Sequence, residues 1–468
     1  MDLHISLKGR GDLAAQVYRQ LLDAILDGRL RPGERLPPTR ELARRLEISR
    51  NTVAVAYDRL VADGFLVGRA GAGTFVSAAP LHQKPVRGRA APEGVVRPRA
   101  FWRESETPKA MPSARYDFRV GVPDPHLFPM EAWRRLVARE LRVSAAMYHN
   151  PAGYEPLREA ISRHIGISRS VHAGPDDVLI TNGAQQALDL IGRVLIEPGT
   201  CVAVEEPGYP PARLLFRSLG ARVTGVPVDA EGIDVSAIPR AARIVYVTPS
   251  HQFPLGTPMS LARRAALLAW AERSGAVVIE DDYDSEFRYG ERPLEPLQSL
   301  DRAGRVIYVG SFSKTLLPML RLGFLVAPAS LAPALHAAKQ LSDWHSDVPS
   351  QAALARFIDE GLLARHIRKA TREYAARHAM IAEMLAGDER LLLVPSTAGL
   401  HLCARLAPGV SVRPVPGLAV ESLEAYCGES PALPGVVLGY GGITRDDIPE
   451  GLRRLRMAAG PEAAGPLP

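Results

Sequence analysis

Lys314 stands out among the residues able to do covalent chemistry. The chain carries 51 arginines and 6 lysines, so plain positive charge is the business of arginine. A lysine just after the apolar run 305–309 and its breaker Gly310 implies a task that a guanidinium cannot do. An amine can lose its proton and form a Schiff base, whereas a guanidinium stays charged. Ser311 and Ser313 flank this lysine, and Arg321 follows seven residues on. Hydroxyls and an arginine suit a phosphate. A phosphorylated aldehyde, pyridoxal 5′-phosphate (PLP), meets both requirements. From this stretch alone, a solvated loop lysine beside an incidental Ser-x-Ser remains the alternative.

The elements that must position Lys314 sharpen the choice. Short β-rich runs at 178–181, 201–204, 222–226, 243–248, 276–280, 305–309 and 323–326 alternate with helical patterns such as 184–195 and 261–274. This predicts a mostly parallel sheet of seven strands covered on both faces, an α/β arrangement. Ligands of open α/β sheets gather beyond the carboxyl ends of the strands. Gly183, Ala184 and Gln185 follow the first run and open a helix, so their amides can hold a phosphate. Asp281 follows 276–280. A carboxylate at a pyridine nitrogen keeps it protonated, which makes PLP an electron sink. Tyr283, two residues on, can bond the ring hydroxyl. Tyr209, after 201–204, can supply an aromatic face. Asp281 by itself would pass for a structural acid in the run Glu280-Asp281-Asp282; the four strand ends together favour the cofactor.

Composition is globular over 468 residues, with 46% apolar and 23% charged side chains, and predicts several domains. No apolar run approaches the ~20 residues of a membrane span, so no membrane partner is expected. The N-terminus lacks a signal-peptide core, which predicts a cytoplasmic location. Cys201, Cys403 and Cys427 are scattered without metal-ligand spacing; reduced thiols and no metal are expected. The formal charge of +6 is uneven. Residues 1–115 hold 20 basic against 12 acidic side chains, and the remainder 37 against 39. A polyanion partner is therefore expected at the N-terminal part.

That part reads as helices and a hairpin. Leu13, Val17, Leu21 and Ile25 share a helical face that ends near Gly28. Thr39 is placed to cap a short helix with Leu42 and Leu46 inward, and Ser49 to cap the next. The latter buries Val53, Ala56, Tyr57, Leu60 and Val61, and presents Arg50, Asn51 and Thr52 outward at its start. Two β runs follow around a glycine-rich turn carrying Arg69. This describes a winged helix-turn-helix: side chains at a helix start reach base edges, and a wing arginine reaches phosphate or the minor groove. A protein-binding winged helix, with Arg40, Arg44, Arg50 and Arg69 as ordinary surface charges, is the alternative.

Residues 11–77 resemble the GntR family of bacterial transcription regulators. The match lies in Gly28-Arg29-Leu30-Arg31-Pro32-Gly33-Glu34-Arg35-Leu36-Pro37, Thr39-Arg40-Glu41-Leu42-Ala43, Ser49-Arg50-Asn51-Thr52-Val53 and Gly71-Ala72-Gly73-Thr74-Phe75-Val76. The resemblance implies contacts to double-stranded operator DNA from Arg40, Arg50, Asn51, Thr52, Arg69 and Gly71. Residues from about 116 to 455 resemble fold-type I aminotransferases, through Thr181-Asn182-Gly183-Ala184-Gln185, Glu206-Pro207-Gly208-Tyr209-Pro210, Asp281-Asp282-Tyr283 and Ser311-Phe312-Ser313-Lys314 with Arg321. Tyr148, in Tyr148-His149-Asn150-Pro151, looks like the tyrosine that reaches the phosphate in a partner subunit. The combination is similar to the MocR subfamily.

The resemblance implies three parts: a winged helix-turn-helix at 1–77, a flexible Pro- and Arg-rich linker at 78–115, and a fold-type I aminotransferase-like domain at 116–468. The linker holds six prolines and eight basic residues. It also implies a regulator rather than an enzyme, a head-to-tail homodimer, and a large domain that senses PLP itself or a small amine or amino-acid metabolite. A PLP-dependent aminotransferase with an accessory DNA-binding arm is the alternative.

Two positions depart from the aminotransferase pattern. Phe253, in His251-Gln252-Phe253-Pro254, stands where an asparagine bonds the ring hydroxyl; His251 or Gln252 are the possible substitutes. Val437 stands where an arginine grips a substrate carboxylate. The second arginine expected two residues past the stacking tyrosine is Pro211, with Arg213 out of register. Arg405 and Arg445 are the remaining anchors, and ordinary surface arginines otherwise.

Overall fold

The computed structural model describes residues 5–7, 12–77, 97–105, 114–141, 147–290, 295–428 and 433–461. Contacts divide the chain into two units, residues 1–103 and 104–468. Most of the expected linker, 78–96 and 106–113, lies outside the described residues. Within that linker the structure has a five-residue helix, Ala100–Glu104, carrying the edge-to-face pair Phe101 and Trp102. Such a short helix has no apolar period to announce it.

In the first unit, α1 (Leu13–Leu26), α2 (Thr39–Arg45) and α3 (Arg50–Ala62) precede β1 (Leu66–Arg69) and β2 (Gly73–Val76). The strands form an antiparallel hairpin. Val17, Leu21, Leu42, Val53, Tyr57, Leu60 and Leu66 form the core. The Tyr57 hydroxyl donates to the Pro37 carbonyl at 2.9 Å, tying α3 to the connector ahead of α2. Ser49 caps α3 as expected, its hydroxyl accepting from the Thr52 amide at 3.0 Å. Thr39 does not cap α2: Pro38 holds that position and no side chain caps it. Val61 is exposed rather than buried, because the interior face of α3 is already filled at Ala56, Tyr57 and Leu60.

The second unit is built on an eight-stranded sheet. Its strands are β3 (Val178–Thr181), β4 (Cys201–Glu206), β5 (Arg222–Asp229), β6 (Gly232–Ile233), β7 (Ala242–Val247), β8 (Val277–Asp282), β9 (Val306–Ser311) and β10 (Gly323–Val326). They lie in the order β3-β10-β9-β8-β7-β4-β5-β6. β10 runs antiparallel to its neighbours β3 and β9, and the strands from β9 to β5 are parallel. The seven expected strands are all present. The eighth, β6, is a two-residue return antiparallel to β5, too short to show a period. Every residue of β3, β4, β9 and β10 is buried, as a sheet covered on both faces requires. The helix Ala184–Leu195 packs Leu188 and Ile191 on one face; Leu157 and Ile161 from the helix Glu155–Arg169 cover another.

Several ladders outrun the apolar runs that announce them. β4 continues through Glu205 and Glu206, β8 through Asp281 and Asp282, and β9 through Ser311. Polar residues therefore sit inside the sheet's carboxyl edge rather than on loops beyond it. A smaller antiparallel sheet of Leu391–Leu393, His401–Leu406, Gly435–Gly439 and Glu421–Ser422 follows the 24-residue helix Leu362–Leu385.

Gly323 is the tight point where β10 enters between β3 and β9. A Cβ there would lie 2.8 Å from the Gly183 Cα and 3.1 Å from the Gly310 oxygen. Gly323→Ala is expected to cost about 1–3 kcal/mol of overpacking, read as a lowered midpoint of thermal unfolding. Ser49→Ala should cost the first unit about 1 kcal/mol, read as faster amide hydrogen exchange in α3.

Candidate functional site

Four adjacent strands deliver the chemistry. Register pairs Val309 of β9 with Asp281 of β8, and Ser311 with Gly323, which in turn faces Thr181. Lys314 leaves the end of β9, and its Nζ donates to the Gly121 carbonyl at 2.9 Å. Gly121 has a left-handed backbone (φ +80°), and a Cβ there would strike the Lys314 amine at 2.6 Å. Burial lowers the basicity of that amine, opposed by the carboxylates of Asp284 and Asp281. A dehydrated amine of this kind is a better nucleophile near neutral pH than a surface lysine.

The acidic run at β8 divides its labour by strand alternation. Glu280 accepts the amides of Leu297 and Gln298, both at 2.9 Å. Asp282 accepts from Arg169 at 2.9 Å and from the Tyr308 hydroxyl at 2.6 Å. Asp281, between them, accepts only the Tyr246 hydroxyl at 2.7 Å through Oδ2; its buried Oδ1 has no partner. Burial pushes this carboxyl up to about 6. A buried carboxylate oxygen without a donor is costly, so the position suits a cationic N–H from a bound group.

At the neighbouring strand end, Gly183 (φ +77°) precedes the helix Ala184–Leu195 and leaves its first amides uncapped by any side chain. Arg321 also has a left-handed backbone, at φ +51°. Its guanidinium donates to the Asn182 carbonyl at 2.8 Å and would lie 2.8 Å from a Cβ on Gly183. The Ser311 hydroxyl accepts the Ser313 amide at 3.1 Å. Bare helix amides beside a guanidinium and two hydroxyls make an anion cradle. The geometry thus brings Lys314, Asp281, Gly183, Ala184, Gln185, Ser311, Ser313 and Arg321 to one edge of the sheet.

Aromatic residues close the other side. The Phe253 ring is edge-to-face with Tyr209 at 5.6 Å, Tyr283 at 5.8 Å and Tyr426 at 5.1 Å. The Tyr283 hydroxyl donates to the His251 carbonyl at 2.8 Å. Neither expected substitute at the Phe253 position is free. His251 bonds Asp284 at 3.1 Å and Ser396 at 3.2 Å. The Gln252 amide donates to Pro207 and Phe253 carbonyls at 2.9 and 2.7 Å.

Of the expected carboxylate anchors, Arg213 and Arg445 are committed elsewhere. Val437 is buried in an apolar cluster with Tyr426, Phe253 and Leu255. Arg213 is buried against Glu206 at 2.6 Å, and Arg445 pairs with Glu373 at 3.0 Å. Arg405 is exposed on its strand. Tyr148 is 79% exposed, away from the cradle of its own chain, with its ring 5.0 Å from Trp344. Ligand atoms of His251, Asp284 and His401 fall within 4.8 Å of one another, yet His251 already spends both ring nitrogens on Asp284 and Ser396.

Sequence reasoning missed Gly121, Tyr246, His401, Glu421 and Tyr426. Tyr246 sits in the apolar run 244–247 of its strand, and the others come from the N-terminal edge of the unit and from the small sheet and the short helix beside it. Nothing in their spacing couples them to Lys314.

On the first unit, Arg40, Arg50 and Asn51 are exposed and Thr52 is half-buried, its hydroxyl 2.7 Å from that of Ser49. Arg40 and Arg50 form no ion pair with any described residue. On the hairpin, the Arg69 guanidinium lies 5.0 Å over the Phe75 ring, and Gly71 takes φ +74° at the turn.

Residues 13–76 match the family described as bacterial regulatory proteins, gntR family. The chain is 37% identical to the probable rhizopine catabolism regulatory protein MocR of Rhizobium meliloti, over 97% of this chain and 95% of that one. It is 32% identical to the pyridoxine biosynthesis transcriptional regulator PdxR of Corynebacterium glutamicum, over 96% of each. Among solved structures, the α-aminoadipate aminotransferase LysN of Thermus thermophilus aligns with a TM-score of 0.66 and 32% identity, covering 73% of this chain and 91% of that one. A gntR-type reader at one end and an aminotransferase fold behind it, matched across both units by regulators, make this chain a member of the MocR subfamily of GntR-family DNA-binding transcription regulators.

Proposed function

We propose that the second unit of this regulator binds PLP and that its occupancy, alone or with a small effector, changes how the winged helices engage operator DNA. The observation that carries the cofactor is the unpartnered, buried Oδ1 of Asp281 at the strand end beside Lys314. The residues fit the group. Lys314 would hold it through the amine, Asp281 would face the ring nitrogen, and Tyr209 and Tyr283 would flank the ring. Gly183, Ala184, Gln185, Ser311, Ser313 and Arg321 would cradle the phosphate. When bound, PLP supplies an aldehyde that reacts with amines and a ring that withdraws electrons. The chain's own contribution is to desolvate the Lys314 amine, to hold Asp281 ionised against a protonated nitrogen, and to exclude water with the rings around Phe253.

A regulatory rather than a turnover role is supported by the full-length likeness to regulators and by Phe253, whose ring cannot bond a cofactor hydroxyl. A related structure supports the cofactor: that of LysN holds N-(5′-phosphopyridoxyl)-L-leucine. We read the regulator as a head-to-tail homodimer, and an exposed apolar patch fits a dimer interface. Met147, Tyr148, Leu341 and Trp344 are 75%, 79%, 89% and 52% exposed, and Tyr148 touches Trp344. Patches of this kind mark interfaces, and Tyr148 would then reach the partner's phosphate. No helix among the described residues is long and apolar enough to cross a membrane; DNA as partner makes the cytoplasm the site of action.

At the DNA, Arg40, Arg50, Asn51, Thr52, Arg69 and Gly71 would make the contacts. An effector that favours one arrangement of the dimer over another shifts the fit of two readers to two half-sites by its differential affinity for the arrangements.

Three outcomes test this reading. Lys314→Ala should abolish the visible absorbance that PLP gives the protein after gel filtration; an unchanged band would exclude Lys314 as the attachment point. Arg50→Ala should weaken binding to the protein's own promoter, with unchanged cofactor content, measured by salt-dependent fluorescence anisotropy. Burial pushes the Asp281 carboxyl up to about 6, and a ring N–H would bring it back down. Its contribution to affinity is therefore full above that pH and lost as pH falls, by up to about tenfold per unit. Asp281→Asn should bind PLP more weakly and lack this limb when dissociation constants are measured from pH 5 to 8.

A further inference from the structure

Beyond the cofactor cradle, the wall facing Lys314 carries its own chemical signature. Gly121 accepts the Lys314 amine through its carbonyl, and the preceding residue, Val120, donates its amide to Glu421 Oε1 at 2.9 Å. The Glu421 carboxylate thus hangs one residue from the lysine's own acceptor. Its second oxygen accepts from the Tyr426 hydroxyl. Both donors are neutral, and no basic side chain among the described residues forms an ion pair with Glu421. Arg119, the nearest candidate along the chain, bonds Asp117, with its Nε at 2.8 and 2.9 Å from the two carboxylate oxygens, and feels Glu421 only through space, without an ion pair.

Aromatic edges and one acceptor complete this wall. Phe253 packs against Tyr426 at 5.1 Å and against the His401 ring at 5.3 Å. His401 is buried, its Nε2 has no partner, and burial holds the imidazole neutral. A neutral imidazole with an unpartnered nitrogen can accept a hydrogen bond. Burial, and Arg321 with it, oppose positive charge at the Lys314 amine, while the carboxylates of Asp284, Asp281 and Glu421 favour it. Where a carboxylate grip belongs, Val437 offers hydrocarbon.

We propose that this wall is an effector subsite for a small organic dication, an aliphatic diamine, held with one nitrogen toward Lys314 and the other against Glu421, Tyr426 and Phe253. The proposal rests on the cofactor reading and deepens it by naming the ligand class. An ammonium gains a charge-assisted bond to Glu421 beside the rings of Phe253 and Tyr426. A ligand carboxylate in the same place meets an unpaired carboxylate and no donor fork. The dication preference is set by Glu421, and the apolar span between the two nitrogens by Phe253 and Val437.

The test uses the full chain, with and without added PLP, and three probes of one length: 1,4-diaminobutane, 4-aminobutanoate and n-butylamine. Calorimetry reads each affinity and visible absorbance independently reads cofactor loading. The diamine should bind at least about tenfold more tightly than either competitor, the scale of one charge-assisted contact. Glu421→Gln, which keeps an acceptor for the Val120 amide, should erase that margin while visible absorbance and thermal midpoint are retained. Glu421→Asp should restore part of it. A diamine that binds no better than 4-aminobutanoate, or a margin that survives in Glu421→Gln, overturns the proposal and leaves Glu421 a structural tie between Val120 and Tyr426. Absence of any visible band on PLP addition overturns the cofactor reading instead, and calorimetry on the same sample still decides the amine preference.

Discussion

The structure of the second unit turns on one dehydrated pair of groups, the Lys314 amine and the Asp281 carboxyl at the ends of adjacent strands. Burial makes the amine less basic and the carboxyl less acidic, so each is held away from the charge state that water would enforce. Such a pair costs stability unless something completes it. The surroundings bear that cost through specific bonds: Tyr246 on Asp281, Gly121 on Lys314, and Arg169 and Tyr308 on the neighbouring Asp282. What they leave open is one buried carboxylate oxygen of Asp281 beside the Lys314 amine, the observation on which the proposed cofactor reading rests.

The small-residue register around β10 serves the same purpose. Gly183, Gly310 and Gly323 let three backbone segments approach so closely that a Cβ at Gly323 would meet two of them. This closeness sets Arg321 over the bare start of the helix Ala184–Leu195. Anion cradle and amine are therefore products of one strand insertion rather than separate inventions.

Much of this was legible in the sequence, and the parts that were not have physical reasons. The seven main strands announce themselves as apolar runs because a sheet covered on both faces must be apolar on both. Lys314 is legible because lysine is rare in an arginine-rich chain. The strand ends are misjudged by two residues at β4, β8 and β9, since backbone pairing continues after hydrophobicity stops. Thr39 misleads because a residue able to cap lies next to a proline that takes the capping position. His401 and Tyr426, which pack on Phe253, and Glu421, which accepts from Tyr426, are out of reach of sequence reasoning, because they lie more than a hundred residues further on. The structure also shows where Arg213 and Arg445 are spent, which spacing alone left open.

A reader of DNA joined to an aminotransferase fold makes sense if the fold is kept for recognition. On the proposed reading, an amine-reactive group held by Lys314 would discriminate amines by what surrounds it, and the surroundings of Phe253 and Val437 are unlike a carboxylate-gripping enzyme's. The claim on which all of this depends is attachment of PLP at Lys314. Borohydride reduction of the PLP-treated full chain, followed by peptide mass mapping, tests it most directly. The account predicts a phosphopyridoxyl adduct confined to the peptide carrying Lys314; an adduct on Lys339 or Lys369 instead, or none at all, would contradict it.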